Sequence, residues 1–404
     1  MTSVLIQSGL RVPRSPWDVI AVVGLAAKGD GVATLIGSLS EAIAKYGERL
    51  SLSKISGKGI EAYGLVDAIE TIYSYTQLPI IAVNASPGVA YVPLAAKSYT
   101  FVNGKITVDS PNIAAPVTVK SVDNVTTYET PADYTIDTVK GEITRVTGGT
   151  IPNNGTVSIV FSAPSFETVD WVAAIGRVVP VLNRNPTIIT LAGVEVTSTI
   201  ATALDASAIA LGAINIYTQP GVSATAAAPL LNTISSVAVY PARTGDRGIE
   251  ESGVHLAAVA ALIDYWETPE GDPVKGNSAA LTIADAALLA VKGVSWLSDR
   301  VRSAIATNGT PFNVARLRAK AQFIANKIAV DWQQKPFDLI HLEGFSQAVR
   351  DALNREPEAS LLPYSTVNYS SEKSSTADRR LVYDITLKGD NGADRIAEII
   401  VYVA

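Results

Sequence analysis

The sequence predicts an α/β core, a mostly parallel sheet with flanking helices, that carries an inserted all-β module and extended β arms at both ends. Three observations lead there. Four short and almost wholly apolar runs recur along the chain: "DVIAVVGLA" from Asp18 to Ala26, "LPIIAVNA" from Leu78 to Ala85, "NPTIITLAGV" from Asn185 and "SSVAVYPA" from Ser235. Runs of that length read as strands covered on both faces. Helical segments stand between or beside them, and alternation of strand with helix builds a parallel sheet. From about Lys97 to Ala163 the helical period disappears and short alternating runs replace it.

Taken in order, the first strand leads into the glycine-rich "GLAAKGDGVAT". Ser40 stands before "EAIAKYG", whose Ala42, Ile43 and Tyr46 keep the spacing of one helix face. Gly64 to Tyr75, "GLVDAIETIYSY", puts Leu65, Ile69 and Ile72 on another face and stops ahead of Pro79. Within the insertion, Asn103-Gly104 separates two alternating runs in "SYTFVNGKITV"; both residues accept the positive φ of a type I′ turn, so a hairpin is expected. The β style repeats in "DYTIDTVKGEITRV" from Asp133 to Val146 and in "NNGTVSIVF" from Asn153 to Phe161, with Gly141 and Gly155 at turns. Such an insertion belongs at the surface, because it must leave and rejoin the host sheet without disturbing it.

The composition bounds the function. A chain of 404 residues, 48% of them apolar, has ample material for buried cores in two or three domains. It contains no cysteine, which removes disulfide frameworks and thiolate metal sites. A net charge of −6 argues against a general nucleic-acid surface, since phosphate contact needs a clustered positive field. The N-terminal "MTSVLIQSGLRVPRSPWD" lacks the pattern of a secretory signal, and no apolar run is long enough to span a bilayer. The expectation is a soluble protein made in the cytoplasm, with no direct nucleic-acid partner and no membrane insertion.

Catalytic constellations are weak throughout. The loop after the first strand has three glycines, but a dinucleotide fingerprint counted from Gly29 needs a small residue where Thr34 stands, with a helix opening there. A flexible turn is the plainer reading. The two histidines are His255, on the apolar face of "SGVHLAAVAALIDYW", and His341, near Glu343. One reads as a buried helical histidine, and the other lacks the partners of a metal shell. No nucleophile elbow, P-loop or H-E-x-x-H occurs. No cofactor and no enzymatic activity are expected.

Two features ask for another explanation. In "NVARLRAKAQFIANKIAVDWQQK", Asn313 to Lys335, the residues Val314, Leu317, Ala321, Ile324, Ile328 and Trp332 recur at helical spacing, while Arg316, Arg318, Lys320, Lys327 and Lys335 outnumber Asp331. A basic helix in an acidic protein is either a partner surface or an ordinary solvated face. At the C-terminus, Leu381, Tyr383, Ile385 and Leu387 alternate with Val382, Asp384, Thr386 and Lys388. The turn "GDNG" then leads into a final strand that carries Ile396, Ile399 and Val401. An isolated hairpin is marginal in water, so it must pair with something. The N-terminal segment with Val4, Ile6 and Leu10, set off by Pro13 and Pro16, supplies a candidate strand. If one subunit's arm completes another's sheet, the chain polymerises through main-chain hydrogen bonds.

At this point the sequence resembles the sheath proteins of contractile phage tails and related injection machines. "AALIDYWETPEGDPVKG" is similar to the family's helix, aromatic and proline loop, and "VIAVVGLAAKGDGVATLIGSLSEAIAKYG" to its first strand, glycine loop and helix. "FNVARLRAKAQFIANKIAVDWQQKPFD" resembles its Arg-rich helix, and "DITLKGDNGADRIAEIIVYV" its final β arm. Two departures stand out: Glu270-Gly271 replaces the common Ser-Asn, and "SVLIQSGLRVPRSP" replaces the usual Pro-Gly-Val-Tyr opening.

The resemblance implies a structural subunit in a virion tail, assembled in the host cytoplasm. It implies hexameric rings stacked around an inner tail tube, bounded by baseplate and tail terminator proteins, that contract once to drive the tube through the target envelope. The expected organisation is an N-terminal arm at 1–16, a discontinuous core at 17–96 and 164–370 with its C-terminal sheath part at about 246–370, an inserted β domain at 97–163, and a linker with β arm at 371–404. Two basic surfaces qualify to face the tube: Arg316, Arg318, Lys320 and Lys327 on the long helix, and Arg350 with Arg355 after it. Competing readings are a non-contractile virion or surface adhesion protein with a receptor-binding β module, and a nucleotide-using enzyme with its site near Gly24 to Gly31.

Overall fold

The computed structural model describes residues 19–49, 63–87, 91–108, 113–138, 140–164, 168–219, 223–241, 243–245, 248–278, 281–332, 339–357, 360–375, 380–389 and 392–402. The chain opens with β1 (Val19–Gly24), every residue of which is buried, followed by β2 (Thr34–Ile36), α1 (Leu39–Tyr46), α2 (Leu65–Tyr75) and β3 (Ile80–Asn84). Ser38 rather than Ser40 caps α1: the Glu41 N–H donates to Ser38 Oγ at 3.2 Å. The helix therefore starts earlier than its polar signal suggests, burying Ala42 and Tyr46 but leaving Ile43 exposed. After β1 the chain turns at Gly29, where φ is +93°, and enters a strand antiparallel to β3. No helix opens at Thr34, so the geometry that would cradle a pyrophosphate is not formed there.

Between β3 and Thr168 all described elements are strands: β4 (Tyr91–Pro93), β5 (Lys97–Thr100), β6 (Lys105–Thr107), β7 (Ala114–Ser121), β8 (Thr127–Tyr128), β9 (Tyr134–Asp137), β10 (Glu142–Arg145) and β11 (Thr156–Pro164). They form two antiparallel sheets, β6-β10-β9 and one centred on β11 with β4, β5, β7 and β8. Phe101, Val119, Ile143, Val157, Ile159 and Phe161 are buried in a core of their own. The Asn103-Gly104 turn has positive φ at both residues, and Val102 and Lys105 exchange backbone hydrogen bonds across it. The hairpin goes no further, however, because β5 leaves to pair with β11 and β6 with β10.

The chain returns through α3 (Thr168–Ile175), β12 (Pro186–Ala192), α4 (Ser198–Leu211), β13 (Ile214–Thr218), β14 (Ser236–Tyr240), the short β15 (Arg243–Gly245) and β16 (Gly248–Glu250), and α5 (Ser252–Ala260). Then come β17 (Asn277–Ser278), α6 (Ile283–Val291), β18 (Val294–Leu297), β19 (Val301–Ser303), α7 (Phe312–Trp332) and α8 (Leu339–Leu353). The last strands are β20 (Thr366–Tyr369), β21 (Arg380–Gly389) and β22 (Gly392–Tyr402).

The main sheet has the order β19-β18-β14-β13-β12-β1-β3-β2, parallel from β18 to β3 and closed at each end by an antiparallel strand. Alternate side chains of the central strands serve the two faces, as the pleat requires. Ile20, Val22, Ile188, Ile214 and Val237 pack with α1, α2 and α5, while Val19, Ala21, Val23, Ile189 and Leu191 pack with α3 and α4. Burial on both faces is the reason these strands read as continuous apolar runs.

Candidate assembly surfaces

At the carboxyl ends of the central strands, where open α/β sheets hold ligands, the chain packs closely behind Gly24, β12 and β13, while a cavity of about 320 Å³ lined by Lys28, Gly29, Asn84 and Ser86 opens beyond β1 and β3. A Cβ on Gly24 would lie 2.9 Å from the backbone of Leu65, whose N–H donates to Leu25 O at 2.8 Å. Beside β12 and β13 the buried Glu251 carboxylate accepts from the Gly193 N–H at 2.5 Å and from the Thr218 hydroxyl at 3.3 Å. That hydroxyl in turn accepts from the Gly253 N–H at 3.0 Å. Glu251 therefore locks the start of α5 onto the strand ends. His255 is buried one turn on, with Nδ1 2.8 Å from the Tyr75 hydroxyl. His341 packs edge-on against Trp332. Among the described residues, no group of three or more His, Asp and Glu side chains is placed to hold a metal ion, and no helix is long and apolar enough to cross a membrane.

The loop "DYWETPEGDPVKG" is a strap. Gly271 N–H donates to Val301 O at 2.8 Å, Val301 N–H to Asp272 O at 2.9 Å and Val274 N–H to Asp299 O at 2.9 Å, so the loop occupies the outer edge of β19. Glu270 Oε1 accepts from the Ala304 N–H at 3.1 Å, and Gly271 takes φ +90°, which a side chain resists. The Glu270-Gly271 departure thus has a structural use. At the start of the strap, Tyr265 is buried and meets Trp266 edge to face.

The basic helix α7 proves to face largely inward. Arg316 is 4% exposed, and its Nη1 donates to the carbonyls of Ala260 at 3.0 Å and of Ile263 and Asp264 at 3.3 Å. A guanidinium there satisfies the orphan carbonyls at the end of α5. Arg316 is a clasp between two helices and drops out of the exposed tube-facing set. Lys320 is also engaged, 5.3 Å from the Tyr265 ring centroid and 3.9 Å from Glu356. Arg318 is half-buried and Lys327 exposed. On α8, Arg350 is half-buried, donating to Val367 O and to Gln347 Oε1 at 3.2 Å each, which fastens β20 to the helix. Arg355 is exposed on the rim of a cavity of about 530 Å³ that lies between α7, the end of α8 and the approach to β12. The buried stripe of α7 is also wider than its sequence period: Ala315, Ala325 and Ala329 join Leu317, Ala321 and Ile324, while Val314, Ile328 and Trp332 are half-buried.

The C-terminal strands do not hang free. β20, β21 and β22 form one antiparallel sheet, and Leu381, Tyr383 and Ile385 are buried against Leu342, Phe345 and Val349 of α8 and Leu317 and Ile324 of α7. Tyr383 and Phe345 have ring centroids 4.6 Å apart. Val382, on the alternate face, is buried as well. The arm residues Leu381, Tyr383 and Ile385 therefore belong to this chain's own core, because β20 gives β21 a second partner within the subunit. In β22, Ile399 pairs with Tyr383 and Val401 with Leu381, and Ile396 is the extra residue of a bulge. The side chains of Leu387, Ile396, Ile399 and Val401 lie outside the described residues, as do Val4, Ile6 and Leu10 altogether. Among the described residues, β22 has β21 as its one strand neighbour.

The sheath tail protein Lin1278 from Listeria innocua superposes on 96% of this chain and 96% of its own, with a TM-score of 0.54 at 10% identity. The fold is that of a tail sheath protein. A chain of the anti-feeding prophage baseplate, six-fold symmetrised, aligns with a TM-score of 0.50 at 14% identity, covering 96% of this chain and 95% of that one. In sequence, the tail sheath protein of Burkholderia phage BcepMu is 30% identical over 144 residues, 35% of this chain, and the chain spans 28% of that relative's length. No family model matches the chain.

Proposed function

We propose that the chain is a structural tail sheath subunit, polymerised as stacked hexameric rings around an inner tail tube, that contracts to drive the tube through a target envelope. The observation that carries this reading is the likeness to a sheath tail protein across 96% of both chains. Among the described residues no second strand pairs with β22, and its outer edge is the proposed docking place for a strand from a neighbouring subunit. The N-terminal segment with Val4, Ile6 and Leu10 is the proposed donor. The C-terminal sheet then acts as receiver, with Ile396, Ile399 and Val401 on its outer strand β22 and Leu387 near the end of the central strand β21. Such a join leaves the globular bodies able to rotate while the connections persist.

The tube is gripped by surface charge, with the exposed Arg355 as the leading residue and Lys327 and the half-buried Arg318 in support. Exposed pairs are worth roughly 0–1 kcal/mol each and yield to salt, so grip comes from multiplicity. Arg355→Glu should weaken co-sedimentation with the tube protein while self-association persists, and high salt should mimic it. Baseplate and terminator proteins complete the proposed partners, and the virion tail is the proposed location.

Electron microscopy of the purified protein tests the function. Hollow helical tubes are expected. A monodisperse particle that forms none, and that binds cells through residues 97–163, would establish the adhesion reading instead.

A further inference from the structure

The chain holds four Asn-Gly pairs, at Asn103-Gly104, Asn154-Gly155, Asn308-Gly309 and Asn391-Gly392. Such a pair can cyclise on itself, because glycine has no side chain to obstruct its own nitrogen as it closes on the asparagine amide carbon. The closure requires a glycine N–H that donates to nothing else and an asparagine side chain that is free to swing. Asn103, Asn154 and Asn308 are all exposed, so neither sequence nor exposure separates them, and Asn391 lies outside the described residues.

Hydrogen bonds do separate them. The Gly155 N–H donates to Pro152 O at 3.0 Å and the Gly309 N–H to Ala306 O at 2.8 Å. Asn308 is held a second time, its Oδ1 accepting from the Thr310 N–H at 3.1 Å. At the turn between β5 and β6 the bonds run instead through the outer residues, Val102 and Lys105, at 2.9 and 3.0 Å, and through Gly104 O, which accepts from the Arg145 N–H at 2.8 Å. Among the described residues nothing accepts from the Gly104 N–H, and nothing holds the Asn103 amide. A Cβ at Gly104 would meet no atom within 4 Å, so the side chain beside it has room to move.

We propose that Asn103 is a site of spontaneous deamidation, with water as the co-reactant, and that the fold selects it over Asn154 and Asn308. The Gly104 nitrogen, having lost its proton to solvent hydroxide, attacks Asn103 Cγ. The new bond closes a succinimide ring while the Cγ–Nδ2 bond breaks, and the amide nitrogen takes up a proton and leaves as ammonia. One water then opens the ring at either imide carbonyl and gives aspartate or isoaspartate at position 103. Nothing is oxidised or reduced, and each event adds one negative charge. Isoaspartate also threads one more atom into the main chain between Val102 and Lys105, which a two-residue turn does not accommodate. Phe101 and Ile106 on either side are buried in the core of the β module, at 1% and 4% exposure, so the change stays at the tip. The reaction needs no neighbouring subunit and is independent of the sheath reading.

The full chain is held in mildly alkaline buffer, sampled over days and digested in acid, and the amide remaining at each asparagine is read by mass spectrometry. Asn103 is expected to lose its amide about tenfold faster than Asn154 or Asn308, the difference that one engaged N–H makes. In chain unfolded by urea the three rates should converge. Asn103→Gly keeps a residue that accepts positive φ at the first turn position, so the module should fold as before, and early ammonia release should fall by one equivalent per chain. Equal rates at the three positions in the folded chain would overturn the proposal, as would ammonia release unchanged in the Asn103→Gly variant. An Asn103 that reacts in urea but keeps its amide in the folded chain would overturn it too, since the turn would then protect the residue. A lead for Asn103 that persists undiminished in urea would likewise overturn it, by making local sequence and not the fold the selector.

Discussion

The Tyr265 hydroxyl donates to Glu356 Oε2 at 2.5 Å, joining the start of the strap to the end of α8 across 91 residues of sequence. Lys320 stands beside both, so one hydroxyl, one carboxylate and one ammonium hold three elements together. Tyr265→Phe leaves a half-buried carboxylate without its donor and should cost about 1–3 kcal/mol. Glu356→Gln, which can still accept from the hydroxyl, should cost less. Thermal melts of the two variants check the order.

Arg316 should be among the least replaceable residues. Its guanidinium serves carbonyls of three residues in a buried place, so Arg316→Met removes charge-assisted hydrogen bonds and leaves those carbonyls unsatisfied. A loss of about 2–4 kcal/mol is expected. Arg318→Met, on the half-buried flank, should cost less, and urea denaturation of the pair separates them.

Asp133 is one source of acid sensitivity in the β-rich part. The Glu129 N–H, the Thr150 N–H and the Thr150 hydroxyl all donate to its carboxylate and hold its pKa below the ordinary value. A depressed folded pKa means that the stabilisation is fully present above the unfolded value of about 3.9 and is lost as pH falls through the lower folded value. Asp133→Asn should destabilise this part at neutral pH and flatten its acid dependence. Melting curves from about pH 7 to about pH 2 for both forms provide the measurement.

Removal of residues 381–404 should damage the subunit as well as its assembly. Leu381, Tyr383 and Ile385 fill the space over Phe345 and Val349, and losing a single large buried side chain commonly costs about 2–5 kcal/mol. The expected result is loss of amide protection in α7 and α8, read by hydrogen exchange, with the main sheet still protected. Unchanged protection in both helices would show that the C-terminal strands are dispensable to the lobe.

Much of the core is legible because its strands are buried on both faces and therefore spell unbroken apolar words, as in "VIAVVG". The strap is legible as a rigid, structural loop, since prolines and glycines announce broken periodicity, but which edge it covers depends on β19, later in the chain. A charge count misplaces Arg316 because it ignores register. The residue stands four positions after the buried Phe312 and directly before Leu317, inside the apolar stripe, and that spacing is the available signal. The C-terminal strands read as a free arm because Leu381, Tyr383 and Ile385 alternate with more polar neighbours. That pattern says one face is covered without saying by what, and it hides the burial of Val382 on the other face. The exposure of α6 leaves no mark in the sequence, since an apolar helix reads as core, yet of its nine residues Leu289 alone is buried.

The strap over β19 bears on how the proposed sheath subunit avoids pairing with its copies through the wrong edge. In the proposed polymer many folded bodies crowd together, and an open strand at that end of the sheet would let any two copies zip up in whatever register they met. The bonds of Gly271 and Asp272 already occupy the Val301 backbone at the start of that edge, and Val274 bonds to Asp299 just before it. In that polymer the strap removes one competing route to unregistered strand pairing.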